Sequence, residues 1–213
     1  MTEDPRQIEL LMMLRDRGVR DTRVLEAMEN VPRDLFLPRS FEHQAYADQA
    51  LPIACGQTIS QPFIVAFMTD RLKAGDRMKV LEVGTGSGYQ TAVLSHMCRR
   101  VYTIERYRML HREALDRFRK LNLANITAMV GDGMKGWPAQ APFERIIVTA
   151  AAIEVPPDLV EQLGVDGIMI IPVQTSHDRQ KLERITKTAG GVKTEHLLDV
   201  KFVPLVEGIA KDG

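Results

Sequence analysis

The sequence predicts an α/β fold, with a parallel sheet covered by helices on both faces and a helical addition at the N-terminus. Three observations carry this reading. From Lys79 onward, short β-rich runs alternate with helical patterns. The first run, Val80-Leu81-Glu82-Val83, enters a G-x-G-x-G turn from Gly84 to Gly88 that opens onto the helical segment Tyr89–Leu94. A length of 213 residues suits one domain of moderate size, so the whole chain 1–213 is expected to form a single unit.

Residues 1–75 are the expected addition, and 76–213 the α/β core with its C-terminal strands. In the addition, Ile8, Leu11, Met12 and Leu14 recur at helical spacing between Asp4-Pro5 and Gly18. A second helix fits Asp21–Glu29, with Val24, Leu25 and Met28 on one face and Pro32 as terminator. The stretch from Arg33 to Ser60 is irregular. It ends in Gly56-Gln57-Thr58-Ile59-Ser60-Gln61-Pro62, where Ser60 suits the N-cap of a helix running to about Leu72. Strands are predicted at Lys79–Val83, Val101–Glu105, Ile126–Val130, Arg145–Thr149 and Gly167–Pro172, with helices at Met109–Leu121 and Pro157–Leu163. Lys181–Thr188 and Glu195–Val203 flank Ala189-Gly190-Gly191, a turn that predicts an antiparallel pair.

Composition excludes several classes. With 28 basic and 28 acidic residues, no global field draws the chain to nucleic acid or an anionic membrane. No apolar run approaches the ~18 residues of a membrane span. The acidic start Met1-Thr2-Glu3-Asp4-Pro5 lacks a signal core, and Cys55 and Cys98 have no metal-ligand spacing, so a reducing cytoplasm is expected and no metal.

In an open α/β sheet, ligands sit beyond the carboxyl ends of the strands. Glu82 and the turn Gly84-Thr85-Gly86-Ser87-Gly88 mark the first such end. Glu105 stands roughly 20 residues further on, the distance at which an acid meets ribose hydroxyls. Asp132 and Gly133 follow the third strand, where the carboxylate suits an adenine amino group. Alone, each has a plainer reading: a tight turn, a solvated strand-end acid, another turn. Together and in order they point to a nucleoside ligand.

Tyr89 occupies the place of the third glycine in the dinucleotide fingerprint G-x-G-x-x-G, and no basic residue in the loop meets a pyrophosphate. Acidic neighbours suit a cationic ligand without phosphate. S-adenosylmethionine is therefore the expected cofactor, on a Rossmann-like methyltransferase fold. His43, His96, His111, His177 and His196 form no cluster near these residues, and the lack of an evident base favours an acceptor already ionised, such as a carboxylate with pKa about 4.

Ala45-Tyr46-Ala47-Asp48-Gln49-Ala50-Leu51-Pro52-Ile53, Gly56 through Pro62, Val80 through Ala92, Gly131-Asp132-Gly133, Gly136-Trp137, Ala141-Pro142-Phe143 and Ile147 through Ala151 resemble the protein-L-isoaspartate (D-aspartate) O-methyltransferases. The resemblance runs from about Val31-Pro32-Arg33 to Phe202-Val203-Pro204-Leu205. It implies methyl transfer from S-adenosylmethionine to the free α-carboxylate of an L-isoaspartyl residue, giving S-adenosylhomocysteine and a methyl ester that collapses to a succinimide, a repair of damaged proteins. It implies Ser60 as the catalytic residue, Gln57, Thr58 and Ile59 folded over the cofactor, and Val203, Pro204 and Leu205 along the peptide. It also implies a modified C-terminal strand order and isoaspartyl peptides as substrates, with no fixed protein partner.

Four positions depart from the family pattern: Glu144 for aspartate, Asp166 for glycine, Gln174 for glycine and Lys201 for arginine. Two other readings stay open at this point, a methyltransferase of the same fold with another acceptor, and a non-catalytic protein that binds the cofactor.

Overall fold

The computed structural model describes residues 4–176 and 178–211. The fold begins with α1 (Pro5–Asp16), capped by the Asp4 carboxylate, and α2 (Thr22–Asn30), capped by Asp21. The buried face of α1 is Gln7, Leu10 and Leu14, while Ile8 and Met12 are exposed, which rotates the expected apolar face. The reason is polar. Gln7 Nε2 donates to the carbonyls of Met28 (3.2 Å) and Glu29 (2.9 Å), satisfying acceptors that the last turn of α2 leaves open.

Two 3₁₀ turns, Arg33–Phe36 and Arg39–Gln44, lead to a small antiparallel pair, β1 (Leu51–Pro52) and β2 (Thr58–Ile59). Helix α3 (Pro62–Leu72) follows at once. Its N-cap is Gln61 and no side chain caps it, so the N-cap expected at Ser60 is corrected by one residue. Pro62 explains the shift: it takes the first helical position, where a missing N–H costs nothing, and leaves Ser60 outside the helix.

The core is a seven-stranded sheet of β3 (Lys79–Val83), β4 (Arg100–Glu105), β5 (Ile126–Val130), β6 (Phe143–Val148), β7 (Leu163–Ser176), β8 (Arg179–Thr188) and β9 (Gly191–Val200), in the order β5-β4-β3-β6-β7-β8-β9. The first five in that order are parallel. After β7 the strands follow in chain order and turn antiparallel, which is the form the C-terminal modification takes. Helices α4 (Tyr89–Ser95), α5 (Arg108–Lys120) and α6 (Pro157–Gln162) connect the parallel strands.

Alternation along the strands divides the core in two. Val80, Val101, Ile147, Ile168 and Ile170 pack towards α1–α4, whereas Leu81, Val83, Ile104, Ile146 and Val148 pack with Leu159 of α6 on the other face. β7 is longer than expected because it starts seamlessly from α6, with Asp166 at φ 61° inside it. Aspartate is among the residues that tolerate this left-handed conformation, which accounts for its standing where glycine is usual. Glu144 also has a visible role, since its carboxylate accepts the Lys79 N–H at 2.8 Å where β3 begins.

Candidate functional site

A cleft with about 780 Å³ of empty space, its open mouth included, lies across the carboxyl ends of β3, β4 and β6. Its floor is the turn from Gly84 to Ser87. Ile104 O accepts the N–H groups of Gly84 (2.9 Å) and Thr85 (3.3 Å), tying the turn to β4. Gly86 faces open space, with Ile53 Cδ1 the nearest atom a Cβ would meet, at 3.8 Å, so backbone lies bare to a ligand. Gly88 caps α4 at φ 91°, and a Cβ there would meet Phe118 of α5 at 2.8 Å.

Glu105 ends β4, only 4% exposed, and lines the cleft. Its Oε2 accepts the Gly86 N–H (2.8 Å) and its Oε1 the Tyr107 N–H (3.0 Å). Each oxygen retains a lone pair, so the held carboxylate can still accept two hydroxyls. Gly133 lines the cleft, and Asp132 beside it accepts the Met134 N–H at Oδ1 (2.9 Å). Asp132 Oδ2 is buried without a hydrogen-bonding partner among the described residues. Asp132 does not itself line the cleft, but an orphaned acceptor next to Gly133, which does, fits an adenine amino donor. Thr149 and Ala150, past the end of β6, complete the wall, with Thr149 Oγ1 donating to Gly84 O (2.7 Å).

Glu82 is placed differently from the expectation. It does not line the cleft and is fully buried. Strand alternation turns it away from Leu81 and Val83 towards α4, where its Oε2 accepts the hydroxyls of Thr91 and Thr103 (2.6 Å to Thr103). Thr103 also shares a hydrogen bond with Thr85 of the glycine turn (2.6 Å). Burial pushes the Glu82 carboxyl up to about 8, against the lowering effect of the two hydroxyls, with Glu105 adding a smaller rise. Burial thus favours the protonated carboxyl, which braces the turn from below, off the cleft.

Gln57, Thr58, Ile59 and Ser60 form the opposite wall, joined by Val203, Pro204 and Leu205. The last three are strapped to Ala151, whose N–H donates to Val203 O (2.8 Å) and whose carbonyl accepts from Leu205 (2.7 Å). A second cleft adjoins the first, lined by Ala50, Gln61, Ile64 and residues 199–202. Thr58, Ser60, Thr149 and Val203 line both. Pro204 and Leu205 thus lie along the first cleft, and of the three residues expected beside a peptide only Val203 reaches the second. Lys201, exposed at that second cleft, is one of the departures from the family pattern.

Among the residues that sequence reasoning missed, Arg33 stands out. It is fully buried, donating from Nη2 to Ser60 O (2.8 Å) and from Nε to Ala45 O (2.9 Å), with its guanidinium 4.8 Å from the Tyr89 ring. No periodicity marks a charged side chain in an irregular segment. None of the four described histidines lines the first cleft, and His177 lies outside the described residues. Among the described residues there is no group of three or more His, Cys, Asp or Glu side chains arranged to hold a metal ion.

The family model for protein-L-isoaspartate (D-aspartate) O-methyltransferase matches residues 5–210. The chain belongs to this family. It is similar to the protein-L-isoaspartate O-methyltransferase of Parvibaculum lavamentivorans, 64% identical over 208 residues that cover 97% of this chain and 94% of the relative. The protein of the same name from Paramagnetospirillum magneticum is 56% identical, covering 98% of each chain. Of solved structures, a protein-L-isoaspartate O-methyltransferase superposes with a TM-score of 0.85 at 28% identity, covering 93% of this chain, which spans 65% of that one. A Plasmodium falciparum chain assigned to the same methyltransferases, in complex with S-adenosyl-L-homocysteine, gives a TM-score of 0.80 at 29% identity, covering 93% of this chain and 97% of its own. The family is therefore one of Rossmann-like methyltransferases, and the sheet described above has that form. No described helix is long and apolar enough to cross a membrane.

Proposed function

We propose that the chain transfers a methyl group from S-adenosylmethionine to the free α-carboxylate of L-isoaspartyl residues in damaged proteins and peptides, the first step of their repair. One observation carries this reading beyond family membership: Ser60 lines both the cleft at the glycine turn and the second cleft that adjoins it, so it can meet a cofactor on one side and an acceptor on the other. S-adenosylmethionine, when bound, supplies a methyl group activated by its sulfonium.

The chain supplies position. Glu105 holds the ribose hydroxyls, Asp132 Oδ2 takes the adenine amino group, and the backbone of Gly84, Thr85 and Gly86 bounds the rest, while Gly88, off the cleft and packed against Phe118, starts α4 behind them. Gln57, Thr58, Ile59 and Gly133 close around the nucleoside. Ser60 donates its hydroxyl to the acceptor carboxylate and aims one oxygen at the methyl group, so the barrier falls through proximity and orientation. No base is required, because a carboxylate with pKa about 4 is ionised at neutral pH. Val203 turns the substrate backbone between the clefts, while Pro204 and Leu205 keep the inner wall dry. In this reading residues 1–75 and 76–213 work as one unit, since the first segment brings Thr58–Ser60 to a cleft built by the second. Two free cysteines, Cys55 and Cys98, favour the cytoplasm as the place of action.

The test is labelled S-adenosylmethionine with matched peptides that carry L-isoaspartate or L-aspartate. Base-labile label on the isoaspartyl peptide alone is expected. Equal label on both, or on neither, contradicts the proposal.

A further inference from the structure

We propose that Arg33 is a positioning residue for methyl transfer, fixing the Ser60 carbonyl and thereby the direction of the Ser60 hydroxyl. The proposal rests on the reading of Ser60 given above. Arg33 lies 27 residues before Ser60, in the 3₁₀ turn that follows α2. Its side chain joins three parts of the site from beneath: Ser60 through Nη2, the loop carbonyl of Ala45 through Nε, and the face of Tyr89, which lines the cofactor cleft.

The charge needs an explanation. A buried guanidinium is costly unless compensated, and neutral side chains hold two carbonyls together at less expense. No carboxylate lies within ion-pair distance of Arg33 among the described residues and Nη1 has no hydrogen-bond partner there, so burial outweighs the partial compensation from the Tyr89 hydroxyl and, further off, the Asp48 carboxylate. A desolvated cation directly behind Ser60 favours an anion in front of it, and the acceptor is a carboxylate.

The neighbouring backbone is already fixed by other means. Asp48 accepts the Phe63 N–H at Oδ1 (2.8 Å) and the Gln61 side chain at Oδ2 (2.8 Å), and pairs with Arg17 (2.5 Å). Asp48 thus anchors the start of α3, while the only hydrogen bond described for the Ser60 carbonyl comes from Arg33. Arg33 thus ties the Ser60 carbonyl to the Ala45 loop and to Tyr89, a link that Asp48 does not supply.

The experiment is a double-mutant cycle on the full chain. Turnover and KM for an isoaspartyl peptide are measured for Arg33→Met, Arg33→Lys, Ser60→Ala and the Ser60→Ala/Arg33→Met pair, with calorimetric affinity for S-adenosylhomocysteine. Arg33→Met is expected to lower kcat by about thirtyfold while cofactor affinity stays within about threefold. Arg33→Lys, which keeps the charge but not the fork, is expected to lose about tenfold. In the Ser60→Ala background, removing Arg33 is expected to cost less than about threefold, since the group it aims is gone.

A full additional loss in that background, or a fall in cofactor affinity that tracks kcat, overturns the proposal in favour of a structural role. Unchanged kcat in Arg33→Met with Ser60→Ala impaired refutes the role of Arg33 alone. Wild-type turnover in Ser60→Ala refutes the reading of Ser60 and the proposal with it. If Arg33→Met fails to fold, Arg33→Lys runs through the same cycle, with the same non-additivity expected.

Discussion

Glu82→Gln should remove a pH dependence from the stability of this chain. The Glu82 carboxyl is fully buried and its pKa is pushed up to about 8 from the ordinary 4.5. Between these values the folded chain holds a proton that the unfolded chain has released. Stability therefore falls as pH rises through that window, and the contribution is complete only below the unfolded pKa. Each pH unit is worth about 1.4 kcal/mol, so the window amounts to about 5 kcal/mol, a large share of the ~5–15 kcal/mol that separates a folded domain from its unfolded state. Glutamine keeps the shape and an acceptor for the hydroxyls of Thr91 and Thr103, but it has no proton to release. Other groups titrate nearby, among them His96, whose pKa burial lowers, so the difference between the two proteins isolates Glu82. Urea unfolding at several pH values from about 5.5 to 8 is the assay, and wild type minus variant is expected to decline by about 1.4 kcal/mol per pH unit. Two stability curves that run parallel across this range would refute the reasoning and return Glu82 to an ionised state.

Glu105→Ala is expected to weaken S-adenosylhomocysteine binding by at least about tenfold in calorimetry, because two hydrogen bonds to a charged group are lost. Unchanged affinity removes Glu105 from the ribose role. Gly88→Ala is expected to cost about 2–4 kcal/mol in urea unfolding, combining left-handed strain with overpacking against Phe118. Gly56→Ala serves as its control, because that residue has φ 65° and open space around it, and strain alone should cost about 1 kcal/mol. Equal costs at the two positions would show that Phe118 yields.

The legible parts of the fold are those where a local pattern and the tertiary environment agree. β3 and β5 span the predicted residues, and α5 is displaced by one, its buried face of Leu110, Ala114 and Phe118 being the apolar stripe itself. The full reach of β7 was hidden because Asp166 adopts a conformation usually given to glycine, and its sequence reads as a turn. Gln7 was hidden for a related reason: a polar residue is buried in α1 because distant carbonyls need a donor, and no helical period records that. In the site, the glycine turn, Glu105 and Gly133 announce themselves by spacing after a strand. Glu82 shows the limit of that signal. Spacing placed it beside the turn, but the alternation of β3 turned it to the opposite face, where Thr91 and Thr103 wait for it. Arg33 carries no pattern at all, since its partners are backbone carbonyls 12 and 27 residues away.

The most direct measurement follows an isoaspartyl peptide by mass spectrometry after mixing with the protein and S-adenosylmethionine. The account requires a gain of one methyl group on the isoaspartyl peptide, then loss of methanol as the succinimide forms, then partial recovery of the normal aspartyl peptide. The matched aspartyl peptide should remain unchanged throughout. A methyl group that persists through mild base, or one that arrives on the aspartyl peptide at the same rate, would contradict transfer to an isoaspartyl carboxylate.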